Sequence, residues 1–276
     1  MDLKFLLTGR IDTIDQARKI YNKSYWNKEE RSLSLARWNE LCLPQLEAIV
    51  AAKDVKAFIQ SVSSCEFPPK GEAHEKATAW LQTVLSDLTS SVQMADFYNK
   101  FACYLPKGHY FSEMINKKWN ALSQAEIERA SDFEALRAIG QHVNPQSNTA
   151  LISKWAEYCQ SFEQIQEVTI FLDKKEYYCR PHLDSDARKK VQQKRESILF
   201  AAIPKVENIE TIKLYHSTSL VGSQDSAVTV LALEKWLSLC TTSEQADEAF
   251  KAAKKQNNDL YIRDAYKTVK ALLPTA

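Results

Sequence analysis

Glycine is scarce in this chain, at 5 of 276 residues. Average usage is several-fold higher, and the shortage argues against Gly-rich phosphate loops and strand-and-turn architectures. Charge of one sign is lacking too. Lys and Arg total 36 and Asp and Glu 35, a formal net charge of +1, so no overall field favours nucleic acid or an anionic membrane. No stretch reaches the ~20 apolar residues of a membrane span. The apolar run from Leu3 to Leu7 is too short for a signal-peptide core and has no small-residue cleavage site. No HExxH, GxSxG or P-loop spacing occurs. The histidines, His74, His109, His142, His182 and His216, share no common register. The chain offers catalysis no motif, and no cofactor is expected.

The six cysteines, Cys42, Cys65, Cys103, Cys159, Cys179 and Cys240, are widely scattered. That distribution suits buried free thiols better than a disulfide framework, and it points to the cytoplasm. Cys179-Arg180-Pro181-His182, followed by Asp184 and Asp186, has the look of half a metal site. Structural zinc takes four ligands, usually as two spaced pairs, and no second Cys/His pair stands nearby. Asp184 or Ser185 also has a plain role as a helix cap. No metal is expected.

What the chain does have is one sentence written repeatedly. A small polar residue is followed two places later by an acid at Thr13/Asp15, Asp132/Glu134, Ser161/Glu163 and Thr242/Glu244. Ser91 and Asp54 keep the cap without the acid, and Lys205 breaks it, although Pro204 and Glu207 still mark a helix start. Such a cap accepts a first-turn N–H, and the acid complements the positive end of the helix dipole. Apolar stripes follow: Ile14, Ala17, Ile20; Phe133, Leu136, Ile139; Phe162, Ile165, Val168; Val206, Ile209, Ile212; and, weaker, Ala246, Ala249, Ala253. Each is one face of an amphipathic helix.

A second helix is marked by Trp38, Trp80, Trp119, Trp155 or Trp236, each ~23–31 residues beyond a cap, the length of a helical hairpin. Arg195 and Tyr266 take that place in the fifth and seventh units. Cys42, Cys159 and Cys240 lie one turn beyond their tryptophans, on the same helix face. Tryptophans in one register fill the seam between helices.

In chain order, the first unit has an aromatic turn at Tyr21–Trp26, and Pro44 is expected to open a separate helix from Leu46 to Ala52. Pro-Lys-Gly turns break the second and third units at Pro69-Lys70-Gly71 and Pro106-Lys107-Gly108. Ala121–Ser131 reads as a connection long enough for an extra helical turn. Asp173–Asp184 reads as an irregular insertion before a basic helix, and Ser217–Ser226 as a long turn. The last unit closes at Leu273-Pro274.

These tandem units resemble the α-helical hairpin repeats, such as tetratricopeptide, armadillo and HEAT-type solenoids. The likeness covers about Thr13–Leu272 and lies in architecture; the tetratricopeptide pattern of Trp, Leu-Gly and Tyr is absent. The period of about 40 residues is nearest the HEAT range. The resemblance implies an all-α fold: a single right-handed α-α superhelix over 1–276, with about seven hairpins starting near residues 13, 54, 91, 132, 161, 205 and 242.

It also implies a non-catalytic scaffold or adaptor that binds protein or peptide on an extended surface. The alternatives are a repeat protein that binds RNA or DNA backbone, and an enzyme with a site on the concave face. An irregular insertion in a repeat array often maps to the binding face. The expected contact residues are therefore Tyr177, Tyr178, Arg180 and His182, beside Lys189 and Lys190.

If the tryptophans are core, Trp155→Ala should cost about 3–5 kcal/mol in urea denaturation. A change inside ±0.5 kcal/mol would mean an exposed ring.

Overall fold

The computed structural model describes residues 11–103, 105, 108–179, 185–219 and 227–274, with backbone alone at 175–179 and 218–219. Among the described residues the fold is all-α, without strands. The helices are α1 (Ile14–Lys23), α2 (Lys28–Ala52), α3 (Val55–Ser63), α4 (Glu72–Ser86), α5 (Ser91–Phe97), α6 (Tyr110–Arg129) and α7 (Phe133–Gly140). They continue with α8 (Asn148–Tyr158), α9 (Phe162–Cys179), α10 (Ser185–Ala202), α11 (Ile209–Ser219), α12 (Ala227–Leu239), α13 (Ser243–Lys255) and α14 (Asp259–Leu272). None of them is long and apolar enough to cross a membrane.

The chain divides into two compact units. One is Met1–Ala130 with Ala138–Ser147; the other is Ser131–Arg137 with Asn148–Ala276. In the first unit α1 packs on α2, and α2 lies beside α4. In the second, α9 pairs with α10, α11 with α12 and α13 with α14, while α8, α10, α12 and α14 lie side by side in turn.

The helix starts show why these segments are helical. Thr13, Asp54, Asp132, Ser161 and Thr242 each accept a first-turn N–H. A glutamine three residues past the cap does more than the acids do. Gln16, Gln93, Gln164 and Gln245 reach back to backbone N–H groups at or before the cap, at 2.7–2.9 Å for the shortest contact of each. At Thr13 and Thr242 this is the reciprocal capping box; Gln93 and Gln164 reach only the residue before their caps.

Two starts differ from expectation. Ser90, not Ser91, caps α5, because Ser91 turns its hydroxyl and N–H to the Glu126 carboxylate of α6. Asn208 caps α11 through the Thr211 N–H at 2.8 Å, while Ile203–Lys205 forms only a 3₁₀ turn. Lys205 has no side-chain acceptor to offer an N–H.

At three places the sequence suggests a break where the helix runs on. Pro44 does not start a new helix; α2 runs through it to Ala52. Loss of one backbone bond is offset by packing on both sides of the proline, where Trp38, Cys42, Leu46 and Ile49 are buried. Ala121–Arg129 continues α6, with Ser123 and Ile127 buried. Residues 173–179 continue α9, so the expected insertion is regular there; 180–184, and 220–226 of the sixth-unit turn, lie outside the described residues.

The stripe residues reach the core as their spacing requires. Ala17, Leu136, Ile165, Val168, Ile212, Ala246, Ala249 and Ala253 are fully buried. The second-helix tryptophans Trp38, Trp119, Trp155 and Trp236 are buried as well, and Trp80 is half-buried. Cys159 and Cys240 donate their thiols to the carbonyls of Trp155 and Trp236. Burial pushes the Cys42 thiol up to about 12 and those of Cys159 and Cys240 to about 11. These thiols are held protonated and inert.

The shortage of glycine leaves a mark on the turns. Lys53, Cys65 and Asn257 take left-handed conformations with φ of 52, 54 and 57°, a place usually given to glycine. Gly71 is irreplaceable. Its φ is +100°, and a Cβ there would come within 2.6 Å of the Asn39 side chain. Asn39 of α2 is the cap that α4 lacks: its oxygen accepts from the Ala73 N–H at 2.9 Å and its amide donates to the Lys70 carbonyl at 3.1 Å.

The tryptophans divide by their N–H groups. Trp38 donates to the Glu66 carbonyl at 2.6 Å and Trp119 to the His142 carbonyl at 2.9 Å. The indole nitrogens of Trp155 and Trp236 are buried with no partner. Trp119→Phe should therefore cost about 1 kcal/mol more than Trp155→Phe, since both lose similar volume but only the first loses a hydrogen bond. Equal losses in urea denaturation would show that the indole bond carries no net stability.

Candidate functional site

The first unit carries a cleft of about 600 Å³ whose walls come from five places in the chain. Helix α1 supplies Arg18 and Tyr21, and α2 supplies Trp38. The loop after α3 supplies Cys65, Phe67, Pro68 and Pro69, and α4 adds His74. Gly108, His109, Tyr110 and Phe111 complete it at the start of α6. A cleft of this size, mostly aromatic with a few polar groups, has the build of a ligand site.

Rigid contacts set its walls. The loop after α3 is fastened to α2 from one helix face: the Glu66 carbonyl accepts from Trp38 Nε1 and, at 2.8 Å, from Cys42 Sγ, and the Glu66 carboxylate accepts from Gln45 at 2.6 Å. Arg18 donates to the Ser64 carbonyl on the same loop and pairs with Asp15. At the other end, Phe111 is buried against His74 and His109, with ring centroids 5.6 Å away in both cases. His74 also meets Tyr110 at 4.9 Å. His109 Nδ1 accepts from the Phe111 N–H at 3.4 Å, which fixes the imidazole as the cap of α6. Gly108, at φ +78°, makes the turn into it.

Beside the cleft lies an exposed aromatic turn. Trp26 is 91 % exposed, and its ring meets Tyr25 edge-on at 5.0 Å. Arg31 sits over the Tyr21 ring at 4.5 Å and the Tyr25 ring at 5.2 Å, tying the turn to the cleft wall. Nearly all of the Trp26 indole meets water and contributes nothing to the core.

The fifth-unit residues give a different picture. Tyr177 and Tyr178 lie in the helical run of α9, without described side chains; Arg180 and His182 lie outside the described residues. Lys189 and Lys190 are exposed on α10. Lys190 pairs with Glu157 at 3.5 Å and Lys189 with Asp186 at 3.9 Å. Lys194 donates to the Glu157 carbonyl at 3.1 Å. These contacts tie α10 to α8. Among the described residues no group of three or more His, Cys, Asp or Glu is placed to hold a metal ion.

Fold and cleft together define an all-α protein of helices packed in neighbouring pairs, with an aromatic-lined cleft in its first unit. Comparison of the chain with protein-family models, with curated proteins and with solved structures gives no match.

Burial, and then the neighbouring His74, hold the His109 imidazole below its usual pKa. Burial does the same to His216, against the opposing bond from Gln256. A base whose folded pKa is depressed binds fewer protons folded than unfolded. Its stabilising effect is full above the unfolded value of about 6.5 and is lost as pH falls from there toward the lowered folded value. Melting temperature should therefore drop on acidification through that window. His216→Gln should flatten the drop; an unchanged slope would show that these rings are not its source.

Proposed function

We propose that the protein is a non-catalytic scaffold that binds a peptide segment of a partner protein in the aromatic cleft of its first unit, with Tyr25 and Trp26 as the rim. The observation that carries this reading is Trp26, an indole almost wholly in water beside a ready-made aromatic cleft. Tryptophan, tyrosine and arginine dominate binding energy at interfaces because they combine large contact area with directed hydrogen bonds. An extended peptide with proline or aromatic side chains fits such walls, since flat rings stack on flat rings.

The architecture belongs to the same proposal. Helices that pack as neighbouring pairs, with second helices side by side within each unit, suit an array of about seven hairpins wound as a right-handed superhelix, the arrangement that offers partners an extended surface.

Trp26→Ala and Tyr110→Ala test the reading cleanly, because both side chains are exposed. Peptides selected from a displayed library on the whole chain should lose at least about tenfold in affinity for either variant, with melting temperature unchanged. Selected peptides that bind both variants as tightly as the parent would remove the cleft from consideration.

A further inference from the structure

Arg195 stands in the register where other second helices carry tryptophan, and the structure keeps it in the core at 5 % exposed. It lies on α10 between α8, which carries Trp155, and α12, which carries Trp236. An arginine is narrower than an indole and brings a charge. A cavity of about 380 Å³ opens beside it, between α9 and α10. Its described lining includes Thr169, Leu172 and Asp173 from α9, and Arg188, Lys189 and Gln192 from α10.

Three cations and one carboxylate, Asp173, thus face this space. Arg195 makes no ion pair within 4 Å and no hydrogen bond among the described residues. Asp173 and Glu196 act on it only at longer range. Arg31, the half-buried arginine of the first unit, has a neighbouring acceptor in the Tyr21 hydroxyl at 3.2 Å; Arg195 has none among the described residues. The Arg195 nitrogens are not among the fully enclosed polar atoms without a partner, so they open onto the cavity, where an anion would supply the partner that the neighbouring helices do not. Gln192 holds Glu196 at 2.7 Å, which engages that carboxylate along the helix.

We propose that the cavity between α9 and α10 is a binding site for a phosphate group, free or as a small monoester, with Arg195 as its buried anchor and Arg188 and Lys189 at its mouth. A guanidinium presents a planar fork of donors that matches phosphate oxygens two at a time. The volume holds a phosphate and a small organic remainder, and is at the lower end of small-molecule sites. The site is separate from the aromatic cleft, and the peptide reading does not depend on it.

The test is the melting temperature of the whole chain in potassium phosphate against potassium chloride at matched ionic strength, with direct titration by phosphorus-31 NMR. Inorganic phosphate should raise the melting temperature by a few degrees, as any ligand of the folded state does, and its resonance should broaden on adding protein. Tighter binding of phosphoserine or of a mononucleotide than of phosphate would identify the monoester source. Arg195→Met should abolish the phosphate-dependent rise. Arg195→Trp, which restores the repeat residue and fills the cavity, should abolish it while raising the melting temperature without phosphate. If neither variant folds, Lys189→Ala decides. Its side chain is exposed, and it should weaken phosphate binding about threefold to tenfold. No broadening with the parent chain, an undiminished rise in Arg195→Met, or unchanged binding in Lys189→Ala would each overturn the assignment. Broadening only with RNA or DNA oligonucleotides would likewise replace it with a backbone-binding surface.

Discussion

A buried indole N–H aimed at a carbonyl outside its own helix is the interaction that fastens the second helices of the first unit. Trp38 and Trp119 bring large apolar area into the core and would bury a donor with it. They reach a carbonyl at Glu66 and His142, just past the end of a short first helix. There the backbone has run out of intrahelical partners. Each bond satisfies two groups that would otherwise be stranded, and it fixes where the loop lies. Cys42 and Gln45 reinforce the Trp38 bond because they follow it by about one and two turns on the same face.

Where the geometry changes, the donor is lost. Trp155 packs on Phe133 and Phe171, at 5.5 and 5.2 Å. Phe171 lies well inside α9, which continues to Cys179. Carbonyls along a helix are already committed to its own ladder, and the Trp155 N–H finds none. At Trp236 the neighbouring His216 takes Gln256 instead, at 3.0 Å. The same residue in the same register is thus satisfied or stranded according to what its indole meets: a chain end at Trp38 and Trp119, the middle of a helix at Trp155.

Much of this fold was legible from the residues. Thr13, Asp54, Asp132, Ser161 and Thr242 cap as their chemistry demands, and the apolar stripes behind them are buried. What misled was local chemistry overridden by packing. Proline at 44 looks like the start of a new helix, and 121–131 like a connection with room for one helical turn, yet α2 runs through the first and α6 runs on to Arg129 because buried faces outweigh one lost bond or a weak propensity. Ser91 has the right side chain for a cap, but Glu126 claims it. The glutamine three places after the cap was available as a signal from the box pattern, and Asn208 as a plain cap residue. The aromatic cleft was not legible. Its walls are assembled from α1, α2, the loop after α3, α4 and the start of α6, and no one segment announces them.

Deviation from the repeat marks the places where the fold has capacity to spare. A register tryptophan serves the seam, and nothing else can use its surface. Trp26 lies outside that register, in a turn, and its indole is left to the solvent. Arg195 lies inside the register with the wrong side chain, and its neighbours leave a cavity where an indole would have closed the seam. The first deviation adds surface without adding core; the second subtracts core and leaves charge behind. Neither helps the chain fold. The exceptions to the tryptophan register are thus an exposed ring and a buried cation, the two side chains whose chemistry the packing of the helices leaves least used.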